Sequence, residues 1–138
     1  FIIFRLNSFA RNLRNEIKRS RKVYFYDNGV RNAIIGNFQS LDLRPDKGAL
    51  WESFLVSERL KYNLYHSTGA RMYFWRTRQQ QEIDYVEERD GRITAYKFKW
   101  KPRTAKISSS FLSAYNAAAY TIHRENFRDF VQPPITQE

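Results

Sequence analysis

The stretch from Glu82 to Trp100, EIDYVEERDGRITAYKFKW, constrains the fold more than any other part of the chain. Asp90-Gly91 stands between two alternating runs, and this dipeptide suits a two-residue hairpin turn, whose central residues need positive φ. The spacing predicts a two-stranded ribbon. Alternation puts Glu82, Asp84 and Val86 on one face and Ile83, Tyr85 and Glu87 on the other. On the returning strand Ala95, Lys97 and Lys99 share a face opposite Thr94, Tyr96 and Phe98. Pairing across the turn then brings Asp84 near Lys97 and Lys99 as an ion-pair cluster.

The elements around the ribbon follow from period and punctuation. FIIFRL (1–6) and RKVYFYD (21–27) read as strands joined by a long basic arm. VRNAIIGNF (30–38) reads as a short helix after the Asn28-Gly29 turn signal, and LDLRPDKG as a loop. Leu50, Trp51, Phe54, Leu55 and Leu60 recur at helical spacing, so 48–63 is an amphipathic helix with Asp46 as its N-cap. RMYFWRT (71–77) is a strand, SSSFLSAYNAAA (108–119) a serine-capped helix, and 118–124 turns into a short last strand. The tail VQPPITQE is expected to fray. From residue 48 the order is helix, strand, strand, strand, helix, strand, a mixed α/β sheet.

Composition bounds the function. The 138 residues suit one buried core, with 24 Lys+Arg against 14 Asp+Glu for a net charge of +10. That balance favours nucleic acid, an acidic partner or an anionic surface. There is no cysteine, and His66 and His123 are not locally paired, so thiolate and zinc-hydrolase sites are not expected. The chain is too short for a doubly wound dinucleotide fold, and five glycines with no G-x-G-x-x-G and no phosphate loop leave nucleotide binding within it unsupported by the sequence. No signal pattern and no apolar run near the ~20 residues of a membrane span is present. The reading is a cytoplasmic protein, and the start at Phe1 suggests a segment of a longer or processed chain.

A metal-dependent phosphodiesterase site needs at least two carboxylates around Mg²⁺ or Mn²⁺ and a lysine near the developing charge. Glu52, Asp84 and Lys99 could supply one helix carboxylate, one strand carboxylate and that lysine. The segments KVYFYDNGVRNAII, GALWESFLVSERLKY, YFWRTRQQQEIDYVEERDG and AYKFKW together resemble the C-terminal domain of a family of uncharacterised bacterial AAA+ ATPases, with a restriction-endonuclease-like PD-(D/E)xK core. The resemblance implies an α/β fold with a restriction-endonuclease-like core at 47–130, a basic strand or hairpin extension at 1–46 (a winged-helix remnant), and a tail at 131–138. It also implies an upstream ATPase module that carries the ATP and Mg²⁺ chemistry. Glu52 matches the helix carboxylate, Asp84 the central aspartate and Lys99 the lysine of E-x-K. Lys97 stands where the family usually shows Glu. Two like charges about 4 Å apart repel by roughly 4 kcal/mol at an effective dielectric of 20, so a divalent ion at Asp84 is disfavoured. No metal or other cofactor is expected in this chain.

The arm RNLRNEIKRSRK supplies Arg11, Arg14, Lys18, Arg19, Arg21 and Lys22 against one acid, Glu16. Such a run can follow a phosphate backbone without sequence preference. Three readings stay open: a degenerate, non-catalytic domain that binds DNA or another nucleic acid for its ATPase, an assembly module that touches no nucleic acid, and a metal-dependent nuclease. No membrane partner is expected.

Overall fold

In the computed structural model, which describes residues 2–132, Asp90 and Gly91 take φ values of 52° and 75° and close the ribbon as its sequence requires. In chain order the elements are β1 (Ile2–Ser8), β2 (Arg21–Tyr26), α1 (Asn28–Gly36), α2 (Phe38–Asp42), α3 (Lys47–Tyr65), β3 (Arg71–Arg76), β4 (Glu82–Arg89), β5 (Arg92–Phe98), α4 (Ser109–Tyr115), β6 (Ala118–Ile122) and α5 (Arg128–Val131). The six strands form one mixed sheet in the order β2-β1-β3-β4-β5-β6. The β1–β3 and β5–β6 pairs are parallel, and the others antiparallel. The expected order of elements from residue 48 is therefore present. The N-terminal hairpin joins the same sheet as the rest through β1 and β3.

Each face of the sheet carries its own core. On one side Trp51, Phe54, Leu55 and Val56 of α3 pack with Phe74, Tyr85, Phe98, Phe127 and Phe130. On the other, Phe111 of α4 and Phe9 of the basic arm cover Trp75, Ile83, Val86 and Ala95. Helix α3 forms because its apolar residues recur on one stripe, but that stripe continues into buried Arg59 and Asn63. Asp46 precedes α3 without capping it through its side chain, since Arg44 holds its carboxylate at 3.0 Å. The stretch read as a loop begins within a short helix, α2, whose last two residues are Leu41 and Asp42 and which is opened by the Asn37 side chain on the Gln39 amide. The expected frayed tail lies, beyond Gln132, outside the described residues.

One irregularity changes which residues share a face. Tyr73 pairs with Val86, but Trp75 pairs with Ile83, so β4 holds one extra residue opposite Phe74. This β-bulge at Asp84–Tyr85 interrupts alternation. Ile83 and Val86 both enter the α4-side core, while Tyr85 joins the α3-side core. The expected grouping of Val86 with Glu82 and Asp84 is therefore corrected: simple alternation assumed an unbroken ladder.

Candidate functional site

Lys22, the second residue of β2, shares its side of the strand with buried Tyr24 and so turns inward toward α3. Its ammonium contacts Glu52 Oε1 at 3.3 Å and also bonds Glu82 Oε1, while lying 5.0 Å from the Phe74 ring centroid. The Tyr24 hydroxyl donates to Glu52 Oε1 at 3.2 Å, and Arg76 Nη2 reaches Glu82 Oε1 at 3.3 Å. Asp84 belongs to the same field, because its charge acts on both Glu52 and Tyr24. Its own Oδ2 accepts the Phe98 amide at 2.7 Å, in the stretch where the named β4–β5 partners end at Tyr85 and Tyr96.

The titration behaviour follows from these contacts. Burial raises the pKa of Glu52, Lys22 opposes it, and the Asp84 charge adds to the rise. Burial also works against ionised Glu82, but the Lys22 hydrogen bond and the Lys22 and Arg76 charges outweigh it, so its pKa is lowered. Burial disfavours charged Lys22, yet Glu52 and Glu82 more than offset that and raise its pKa. Lys22 pairs with both glutamates and favours the ionised form of each, but only at Glu82 do its contacts outweigh burial. Burial, then the Glu52 charge, push the Tyr24 hydroxyl far up, so it remains a neutral donor.

Of the expected site residues, Glu52 feels the charge of Asp84, and the structure sets Lys22, Tyr24 and Glu82 beside it. The expected Asp84–Lys97–Lys99 ion-pair cluster is absent among the described residues; Asp84 is taken by a backbone amide instead. Lys97 and Lys99 alternate along the chain with Phe98 and Trp100, which pack into the α3-side core. The residues present do not suit a divalent metal. A lysine already bridges two of the carboxylates, the third is committed to the backbone, and among the described residues no three acidic or imidazole groups are arranged to hold an ion. The recognisable signal for Lys22 was its i, i+2 relation to Tyr24 in an alternating strand; reading it as part of a charge run hid that.

The basic arm is an ordered loop. Buried Glu16 accepts the Arg11 and Leu13 amides at 3.0 Å each and the Tyr115 hydroxyl. The Ile17 amide bonds the Arg76 carbonyl at 2.9 Å, and the Arg78 amide bonds the Asn15 carbonyl at 2.9 Å. Arg11 is drawn into a bidentate pair with Glu88. Of the six basic residues singled out, Arg14, Lys18, Arg19 and Arg21 stay exposed, whereas Lys22 and Arg11 are engaged internally. Strand directions place the loops after β1, β3 and β5 at one end of the sheet. Exposed Arg78, Lys101, Arg103 and Lys106 therefore join the arm there, and the one acid in those three loops is buried Glu16. Sequence reasoning missed these four, because only the strand directions gather distant loops at one end.

Among the described residues no helix is long and apolar enough to cross a membrane. The chain is similar to an uncharacterized protein of Mycobacterium bovis and to an uncharacterized protein of Mycobacterium tuberculosis. Each is 31% identical over 115 residues, which cover 82% of this chain and 25% of the relative. The chain therefore spans about a quarter of the length of these curated relatives. No solved structure matches it. The model of a domain of unknown function, DUF4143, matches residues 47–132, more than half of the chain, and with these relatives it shows that the chain belongs to the DUF4143 family.

Proposed function

We propose that this is a non-catalytic, nuclease-like domain that binds duplex DNA through its basic end, as an accessory module of a longer ATPase polypeptide. The observation that carries the reading is the gathering of Arg14, Lys18, Arg19, Arg78, Lys101, Arg103 and Lys106 on loops at one end of the sheet with no exposed acid among them. Such a surface recognises phosphates, and these loops offer no exposed aromatic ring for reading unpaired bases. The non-catalytic part is supported by Lys22, whose ammonium takes the place a divalent ion would need between Glu52 and Glu82, and by Lys97 where the resembled nuclease core usually has Glu. The PD-(D/E)xK core and the ATPase context rest on that resemblance.

The test is duplex binding as a function of salt, with Arg14, Lys18, Arg19 and Arg78 changed together to glutamine. Each phosphate contact removed should lower the log–log salt slope by about 0.9. A parent chain without affinity for duplex at low salt would sink the reading. Plasmid nicking by the parent in Mn²⁺ would sink its non-catalytic part. A second reading, an assembly module with no nucleic-acid role, is favoured by Ile3, Val23 and Phe25. These exposed side chains share the outer face of the β1–β2 ribbon, away from Phe4, Leu6 and Tyr24.

A further inference from the structure

The opposite end of the sheet holds a cleft that the DNA reading does not use. Two contiguous hollows of about 440 and 530 Å³ share Arg59, Arg89 and Tyr96, between the later part of α3, α5 and the β5–β6 side of the sheet. This is the size range of small-ligand sites.

Arg89 and Arg92 face each other directly across the β4–β5 turn, and both line this cleft. Like charges at opposed positions of a ribbon repel. The nearest acid, Asp90, comes no closer than 3.9 Å to Arg89, and its side chain is 89% exposed. A third guanidinium in the wall, Arg59, is committed to Glu87 and the Phe130 carbonyl. The two opposed arginines form a fork pair suited to a doubly charged oxyanion such as phosphate.

Beside them the wall is aromatic. Tyr96 and Tyr120 stack with centroids 5.7 Å apart and planes at 28°. Tyr120 stands on the edge strand β6, 55% exposed within a concave surface. Burial pushes the Tyr96 hydroxyl up to about 12, so it faces the cleft uncharged. Asp129, which has no ion-pair partner among the described residues, lies on the α5 wall. Its carboxylate can accept from hydroxyl or amino groups.

We propose that the cleft binds a nucleoside monophosphate, with the phosphate on Arg89 and Arg92, the base against Tyr120 and Tyr96, and ribose hydroxyls or a base amino group toward Asp129. A flat ring, an anionic group and hydroxyl donors in one small molecule match the three kinds of surface present. An acidic peptide would satisfy the arginines but would leave the tyrosine platform without a flat partner. The inference goes beyond the DNA reading and shares no residue with the basic end.

Amide-resolved NMR titration of the chain with adenosine 5′-monophosphate and cytidine 5′-monophosphate tests it, with adenosine and inorganic phosphate as separate halves. Saturable shifts are expected at residues 89–96 and 120–130, with each half binding roughly tenfold or more weakly than the whole. Tyr120→Ala should weaken the nucleotide by roughly tenfold while leaving the phosphate response, and Arg92→Gln should weaken nucleotide and phosphate by a similar factor while leaving the adenosine response. Both side chains are exposed, and thermal unfolding checks that each variant keeps its fold. No shift at millimolar nucleotide, or equal binding by parent and both variants, overturns the proposal. So do shifts confined to residues 14–21 and 101–106, which would assign the nucleotide to the basic end.

Discussion

Glu52 and Arg59 lie about two turns apart on α3; Arg59 meets Glu87 of β4 directly, whereas Glu52 is linked to Glu82 of β4 through Lys22 of β2. The two clusters have opposite balances. Around Arg59 the account closes: its guanidinium holds both oxygens of Glu87 at 2.8 and 2.9 Å, Asn63 and Tyr85 donate to the same carboxylate, and the remaining contact goes to the Phe130 carbonyl. Burial alone would raise the pKa of Glu87, but the hydrogen bonds and charge of Arg59 outweigh that effect and lower it. Around Lys22 two carboxylates, Glu52 and Glu82, share one ammonium, with Arg76 helping Glu82, and Glu52 is left with a raised pKa. The first cluster clasps α3 to the sheet. The second stays half-exposed and under-compensated, which is the character of a site or of the remnant of one.

The largest break in this comparison is Arg59→Met. It leaves Glu87 buried without its cation, and we expect a loss of about 3–5 kcal/mol in urea unfolding. Adding Glu87→Leu should recover much of that loss, since an apolar pair can replace a buried ion pair at little cost. A loss below about 1 kcal/mol for the single change would remove the distinction between clasp and open cluster.

Lys22→Met should cost less, about 1–2 kcal/mol near neutral pH, because the carboxylates it leaves are partly solvated. The loss should shrink as pH falls into the carboxylate range, where the facing acids neutralise. A constant penalty across that range would mean that Lys22 acts through packing on Phe74 and not through charge.

These residues also mark how much the sequence disclosed. The Asp90-Gly91 turn and the α3 stripe were legible because turn chemistry and helical period are local. The clasp was half visible: Arg59 follows Leu55 by one turn on the buried stripe, which flags a buried cation, but its acid lies on a distant strand. The meeting of Glu52 and Glu82 with Lys22 was not visible. It depends on β1 carrying β2 into the same sheet, and the faces of β4 depend on a bulge that no local pattern announces.

The two clusters also differ in the sign of their pH dependence. Glu87 has a folded pKa below its ordinary value of 4.5, so its contribution is present above that pH and is lost as pH falls through the folded value. Glu52 has a folded pKa above 4.5, so its contribution is full below that pH and declines as pH rises through the folded value. Glu52→Gln should therefore flatten the stability profile just above pH 4.5 and change stability near neutrality by less than about 1 kcal/mol. A steeper profile in the variant would place the raised pKa on another group.

The smallest effect is expected at a third β4 glutamate, on the opposite face. Arg11 pairs with Glu88 in two-pronged geometry, but the Arg11 side chain is 43% exposed and the pair is open to salt. Arg11→Gln should cost less than about 1 kcal/mol, and less still at high ionic strength. The arm should keep its place, because buried Glu16 holds it through two backbone amides and Tyr115, none of which involves the Arg11 side chain. Proteolysis within residues 10–20 is the sensitive readout. If Arg11→Gln opens that segment to cleavage as readily as Glu16→Gln does, the exposed pair carries the arm and geometry, more than burial, separates the clasps on β4 from its weaker pairs.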